Sequence, residues 1–273
     1  MAFPEGHPYH HPTIGSMDDL DAASLHDVRE FFSTWYAPNN AVLTVVGDID
    51  EAEVRSAVER WFGPIAANPA LPAHADLELK EPLAATRKTI RDRVPDPRLH
   101  VAFRLPPLGD PTLPAAEVAC QILASGRGSR LHRRLVRDEQ VAQDVSLGVL
   151  AFAGGASLAV GAATLRPGAS SERLERCFDE ELARLAAEGP TATEMERAAA
   201  RIESEEMAKL GDPEDLADEI GEYATLLNDP GRAFREVEIY RAVTAEQVRS
   251  AAKAFDPLRR ATLWYEPDGA ASA

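Results

Sequence analysis

Two stretches of this chain repeat one pattern of apolar and polar positions. From Ser24, the residues Leu25, Val28, Phe31, Phe32 and Trp35 recur at helical spacing and predict a helix with one apolar stripe. Pro38 ends it, and Ala41-Val-Leu-Thr-Val-Val46 follows as a short apolar strand. The same outline returns near the C-terminus: a helical pattern from Thr244 to Phe255, then Asp256-Pro257, then Ala261-Thr-Leu-Trp-Tyr265. Both copies open with a hydroxyl residue and an acid or amide three positions on, Ser24 with Asp27 and Thr244 with Gln247, the arrangement of a capping box. A long run of strand and helix patterns precedes the second copy, whereas the first begins close to Met1. The front of the first unit is therefore expected to be missing, together with any chemistry it housed.

After the first strand, Gly47-Asp48-Ile49-Asp50 turns into a helix whose apolar face is Val54, Ala57, Val58 and Trp61, stopped by Gly63-Pro64. Residues 66–83 are rich in Ala and Pro without sustained periodicity and read as a linker. Leu99, Val101, Phe103 and Leu105 alternate with more polar neighbours and predict a strand buried on one face. Helices are expected over 111–124 and 129–138. Strands are expected over 141–152 and 156–165, joined by Gly154-Gly155 as a hairpin. Helical patterns then run over 170–188, 191–210, 213–228 and 231–242. Strands followed by a helical block and one closing strand predict an α+β protein of two related mixed sheet-plus-helix units. The first unit, 1–65, is incomplete; 66–87 is the linker; 88–273 is the complete second unit.

The bulk composition narrows the function. The chain has 273 residues, 45% apolar and 27% charged, ordinary values for a globular protein with a sizeable core. Its net charge of −16 argues against nucleic acid and anionic membrane surfaces as partners, since both require clustered Lys and Arg. No apolar run reaches the roughly 20 residues of a membrane span, and residues after Met1 do not form a basic-then-apolar leader. A cytoplasmic location is expected on this basis, with secretion left open if a segment precedes Met1. Cys120 and Cys177 sit on apolar helix faces and read as packing residues, without Cys-x-x-Cys spacing.

Catalytic motifs are missing from the residues themselves. The chain contains no His-Glu-x-x-His helix, Gly-x-Ser-x-Gly elbow or phosphate loop. His7, His10 and His11, with Glu5, form the one histidine cluster, but Pro8 and Pro12 break any helical geometry and the reading is an entry loop rather than a metal site. Gly126, Arg127, Gly128, Ser129 and Arg130 make a short glycine-rich turn entering a helix. Such a turn either packs helix closely on sheet or presents backbone N–H groups to an anion, and these five residues are the weak candidates for substrate binding. No residue is assigned a catalytic or metal-ligating role.

Several phrases together carry a family resemblance. Phe3-Pro-Glu-Gly-His-Pro-Tyr9, Thr13-Ile-Gly15, the run from Trp35 to Leu43, Val46-Gly-Asp48 and Trp61-Phe-Gly-Pro64 resemble the insulinase/pitrilysin/mitochondrial processing peptidase family of zinc peptidases. Gly126-Arg-Gly-Ser-Arg-Leu131, Leu135 and Val141-Ala142 are similar to the signature of that family's second domain. The resemblance implies a repeat of two α+β domains, and places an inverted His-x-x-Glu-His zinc motif ahead of the segment resembling residues 3–15. No residue of this chain takes those roles, so no cofactor is expected in the chain and zinc is expected in the intact parent enzyme. Many relatives also carry an Arg and a Tyr, seven residues apart, that hold substrate and stabilise the oxyanion. The resemblance sets Val136 and Gln143 at those two positions, and neither replaces an Arg or Tyr donor.

The resemblance thus implies the C-terminal portion of a zinc metalloendopeptidase subunit. It would form chamber wall and partner-docking surface for processing or degrading unstructured peptides, without activity by itself. Its expected partners are the missing N-terminal half, or a companion subunit bearing the Arg/Tyr pair, and peptide substrates in the assembled enzyme. The alternative is a non-catalytic structural or binding subunit of the same fold.

Overall fold

The computed structural model describes residues 1–268. In chain order it contains α1 (Met17–Ala22), α2 (Leu25–Trp35), α3 (Glu51–Phe62), β1 (Thr86–Asp92), β2 (Arg98–Leu105) and α4 (Leu113–Ala124). A π-helix (His132–Asp138) leads to β3 (Ala142–Leu150) and β4 (Ser157–Leu165). Then come α5 (Ser171–Glu188), α6 (Ala192–Gly211), α7 (Pro213–Leu227), α8 (Glu236–Arg241), α9 (Ala245–Ala251) and β5 (Arg260–Pro267). The protein is α+β, with the strands in one open mixed sheet of order β1-β5-β2-β4-β3. Only β1 with β5 is parallel; the other pairs are antiparallel.

Packing divides the chain into two compact units. One comprises Met1–His7, Leu77–Ser204 and the chain from Val237 onward; the other comprises Pro8–Asp76 and Glu205–Glu236. This division differs from the sequence boundaries in two places. The expected linker 66–87 gives its last residues to the sheet unit, because Leu83 is buried and β1 already pairs with β5 at Thr86. The stretch Glu205–Glu236 falls in one compact unit with residues 8–76 and not in the sheet unit.

The sheet unit holds a continuous core. Leu99, Val101, Phe103 and Leu105 of β2 point to one face, as their alternation predicts. Val118, Ile122 and Leu123 of α4, Leu174, Phe178 and Leu182 of α5, and Val248 of α9 belong to the same buried cluster. Phe103 meets Phe255 edge-on, with centroids 5.6 Å apart. β4 lies between β2 and β3 and is buried along nearly its whole length. A Cβ on Gly161 would stand 3.0 Å from both Leu147 Cδ1 and Val101 Cγ2, which explains the glycine there. The β3–β4 hairpin turns at Gly154 and Gly155, both at positive φ.

Burial here is polar as well as apolar. Arg260 of β5, 3% exposed, donates to Asp179 and Glu175 of α5 and to Thr262 Oγ1. Arg87 of β1 also binds Glu175, and Trp264 Nε1 donates to Glu175 Oε2 at 3.3 Å. One carboxylate on α5 therefore ties together two neighbouring strands.

β1 escapes the sequence reading. Its residues, Thr-Arg-Lys-Thr-Ile-Arg-Asp, contain one apolar side chain and are mostly exposed, as suits a charged strand at a sheet edge. α1 is a further helix without a counterpart in the sequence reading, capped by Ser16 Oγ accepting from Asp19 N. The segment 129–138 is a helix as expected, but its i→i+5 bonds, such as Glu139 N to Arg134 O at 2.9 Å, make it π over most of its length.

The second unit differs in kind. The capping box of Ser24 and Asp27 forms, as does its counterpart at Thr244 and Gln247, and each helix is followed by a Pro-led 3₁₀ turn, Pro38–Asn40 and Pro257–Arg259. The local outlines match, but their ends do not. Arg260–Pro267 is a paired strand, whereas 41–46, expected as a strand, pairs with no other strand among the described residues. Neither α2 nor α3 buries a residue. α6 and α7 are joined by Lys209, whose ammonium lies 3.0 Å from Glu206 and 2.6 Å from Glu219.

Two truncations should therefore behave differently. Phe178→Ala removes a side chain at 0% exposure and should cost about 3–5 kcal/mol in urea denaturation. Phe31→Ala, at 54% exposure, should cost less than about 1 kcal/mol in the isolated chain.

Candidate functional site

The glycine-rich turn is held from within. Gly126 has φ +74°, and its carbonyl accepts from Ser129 N at 3.1 Å and Ser129 Oγ at 2.7 Å. Ser129 and Arg130 are buried, while Gly126, Arg127 and Gly128 are exposed. Arg130 spends its fork on the fold: Nε donates to Glu194 Oε1 at 2.8 Å, and Nη2 donates to Glu194 Oε2 at 2.7 Å and to the Gly189 carbonyl at 2.9 Å. Glu194 also accepts from Thr191 N at 2.9 Å, and Thr191 Oγ1 accepts from Glu194 N at 3.2 Å. This reciprocal cap starts α6. Burial works to raise the Glu194 pKa, but the hydrogen bonds from Arg130 and Thr191 outweigh it and lower it to about 2.

The turn thus offers Arg127 and bare backbone to solvent, and two further residues stand beside it. A Cβ on Gly128 would lie 3.2 Å from Arg197 Nη1, and one on Gly126 would lie 3.5 Å from Arg201 Nη1. Both arginines are exposed on α6. Sequence reasoning missed them, although their i, i+4 spacing puts them on one helical face and was available as a signal.

The two positions matched to the Arg/Tyr pair carry no free donor. Val136 packs against the core cluster. Gln143 sits where the β3–β4 register shifts, between Ala142 and Asp144, and its Nε2 donates to Asp96 Oδ2 at 2.8 Å and to the Leu165 carbonyl at 3.0 Å. Arg137 does not substitute for them: it bonds its neighbour Asp138 at 2.8 Å.

The family's zinc does not fit the residues present. The His7 ring stacks on Phe3 with centroids 5.0 Å apart, and its Nε2 lies 3.2 Å from the Leu77 carbonyl. Among the described residues, no group of three or more His, Cys, Asp or Glu is placed to hold a metal, the loop of Glu5, His7, His10 and His11 included. Cys120 and Cys177 are free and buried, and burial pushes both thiols up in pKa, away from reactivity. No described helix is long and apolar enough to cross a membrane.

The largest unexplained feature is apolar. In the unit of residues 8–76 and 205–236, Leu25 (65%), Phe31 (54%) and Trp61 (67%) are exposed, as are Phe32, Phe62 and Ile65. Val42, Leu43 and Val45 of the unpaired extended segment are exposed as well. Large apolar side chains on two helices and one extended segment of this unit are thus left open to solvent.

The comparison with known families matches residues 22–202 to the peptidase M16 inactive domain. The chain belongs to that family. It is the insulinase-type family of zinc peptidases to which the sequence phrases pointed. Among curated relatives, the zinc protease PqqE of Helicobacter pylori is 24% identical, over 96% of this chain and 59% of its own length. A solved protease from Helicobacter pylori superposes with a TM-score of 0.84 at 20% identity, covering 93% of this chain and 61% of that one. A peptidase M16 inactive domain from Pseudomonas fluorescens gives 0.83 at 20% identity, covering 97% and 63%. These structures share the fold, and the chain spans about three-fifths of each relative's length.

The Arg130–Glu194 pair supplies a pH test. Because the Glu194 pKa falls on folding, its contribution is complete above the ordinary glutamate range, near 4.5, and is lost as pH falls toward 2. Acid unfolding should show this loss, of about 2–3 kcal/mol, and Glu194→Gln should flatten it. Arg130→Met, which leaves the carboxylate buried without its partner, should cost about 3–5 kcal/mol at neutral pH.

Proposed function

We propose that this chain is a non-catalytic portion of a zinc metallopeptidase, providing chamber wall and docking surface for the portion that carries the metal. The exposed apolar surface of α2, α3 and residues 41–46 carries this reading. An extended segment paired with no strand among the described residues, together with two apolar helix faces, is what remains of a sheet-and-helix layer when the rest of its sheet is supplied from elsewhere. The membership in the inactive-domain family and the zinc protease relatives support the reading. In the relatives' lengths there is room for such a portion, since two-fifths of each lies outside the match. Peptide substrates would then meet this chain only inside the assembly, and the occupied positions of Val136 and Gln143 leave the Arg/Tyr role to a companion subunit. A cytoplasmic location is part of the same proposal.

The decisive experiment mixes this chain with a family segment bearing His-x-x-Glu-His, either the preceding half or a companion subunit. Chelator-sensitive cleavage of a quenched unstructured peptide is expected from the mixture and from neither part alone. Phe31→Glu with Trp61→Glu should weaken the association at least tenfold, as loss of anchoring aromatics does. The isolated chain should retain much less than one zinc per molecule after dialysis. A complex that forms normally but cleaves nothing would favour the structural-subunit alternative.

A further inference from the structure

The two edges of the five-stranded sheet are built differently. β1 carries Arg87, Lys88, Arg91 and Asp92 in seven residues, the charged kind of edge that discourages pairing. β3, at the opposite end of the strand order, has Asp144 as its one charged residue and contains no Pro. No strand lies on its outer side among the described residues. Its main chain is open there: Gly148 is exposed, and a glycine has only main chain to expose. The register shift at Ala142/Asp144 ends the flat part of β3, so Asp144–Leu150 remains as a regular run.

An unguarded edge is a template for another strand, and two properties of the chain point to a second copy as the partner. The first is self-complementarity. Leu147 is the middle of the run, so a twofold axis through it sets Val145 opposite Val149, Ser146 opposite Gly148 and Asp144 opposite Leu150, each twice. No like charges face one another. The two Asp144 carboxylates stand six residues apart along the joint, about 20 Å at the rise of a strand. That exceeds a Debye length of about 8 Å at physiological salt. Val145 and Val149 already pack against the core cluster, so their pairing carries that apolar face across the joint. At Gly148 no atom lies within 4 Å of where a Cβ would stand, which leaves room beside the partner copy's serine. The second property is charge. Of the 45 acidic and 29 basic residues, 21 and 6 lie in the unit of residues 8–76 and 205–236, leaving 24 and 23 in the sheet unit. Copies that meet through the nearly neutral sheet unit avoid most of the repulsion that a net charge of −16 imposes.

We propose that the β3 edge is a self-association surface, at which two copies of this chain pair antiparallel about Leu147 and join their sheets into one. The contact does not rest on the assembly reading above, which assigns the metal-bearing portion to α2, α3 and residues 41–46 of the other unit. It is isologous, so it closes as a dimer instead of growing into a fibre. The joined sheet then ends on a charged β1 at either side, and both unguarded edges are removed.

The test is sedimentation equilibrium of the full chain from micromolar to submillimolar concentration, with far-ultraviolet circular dichroism as the folding control. A monomer–dimer equilibrium is expected. Ser146→Lys with Gly148→Lys sets lysine opposite lysine across the joint and should weaken dimerisation by roughly tenfold. Ser146→Lys with Gly148→Glu sets lysine opposite glutamate at the same positions and should restore it. Phe31→Glu with Trp61→Glu, on the surface assigned to the metal-bearing portion, should leave the dimer intact. A monomer throughout the range would overturn the proposal, as would a dimer that the two-lysine variant leaves unchanged. Equal weakening by the lysine–lysine and lysine–glutamate variants would overturn the pairing about Leu147. Loss of the dimer in the Phe31 and Trp61 variant would move self-association to the other unit and overturn the β3 surface. Failure of the mixing experiment with the dimer intact would overturn the assembly reading and leave this surface standing.

Discussion

A strand persists where a neighbour takes its backbone hydrogen bonds, and that requirement governs both units of this protein. In the sheet unit, β5 finds β1 on one side and β2 on the other, and its apolar residues then cover a helical layer. The chain at 41–46 has a comparable apolar sequence and a comparable helix before it, yet no strand beside it among the described residues. Helix packing follows from this difference. α5 buries Leu174, Phe178 and Leu182 because a sheet lies beneath it; α2 has an equally regular stripe and buries nothing. Intrinsic propensity and capping are satisfied in both places, so they do not decide the outcome; tertiary partners do.

The elements with strong periodicity were legible in the sequence. The β2 alternation, the Gly154-Gly155 hairpin and the long helices α5 to α7 follow from spacing and breakers and stand within a residue or two of their expected ends. What escaped lacked an apolar signal. β1 is held by backbone pairing and by Arg87 reaching Glu175, so its side chains carry charge instead of a hydrophobic pattern. The π-helix follows from a hydrogen-bond shift that no residue type announces. At the glycine-rich turn, Arg130 is tied into the fold by Glu194 and Gly189, and Arg197, distant in sequence, lies beside Gly128, a proximity no local pattern announces.

Buried charge has a consistent use in the sheet unit. Arg130 binds a carboxylate that also caps α6, and Arg260 binds two carboxylates on α5. Each arginine fixes a helix to a point that apolar packing alone leaves free to slide. Such pairs add modest net stability, because desolvation offsets much of their attraction, but breaking one leaves a buried charge uncompensated. Their contribution is to register and orientation. Arg127 and Arg197, by contrast, are exposed.

The Gln143 position shows how a register irregularity can be turned to the use of the fold. The register shift at Ala142/Asp144 still sets residue 143 apart from the regular alternation of β3, which is the usual way a bulge re-aims a side chain. Here that side chain turns back to Asp96 and the Leu165 carbonyl, closing the edge of the hairpin. A phenol at 143 could not make both bonds, since it has one proton to donate where the amide has two. The glutamine therefore stabilises the end of the sheet with the hydrogens that a catalytic donor would have to keep free. In this chain the bulge serves the fold.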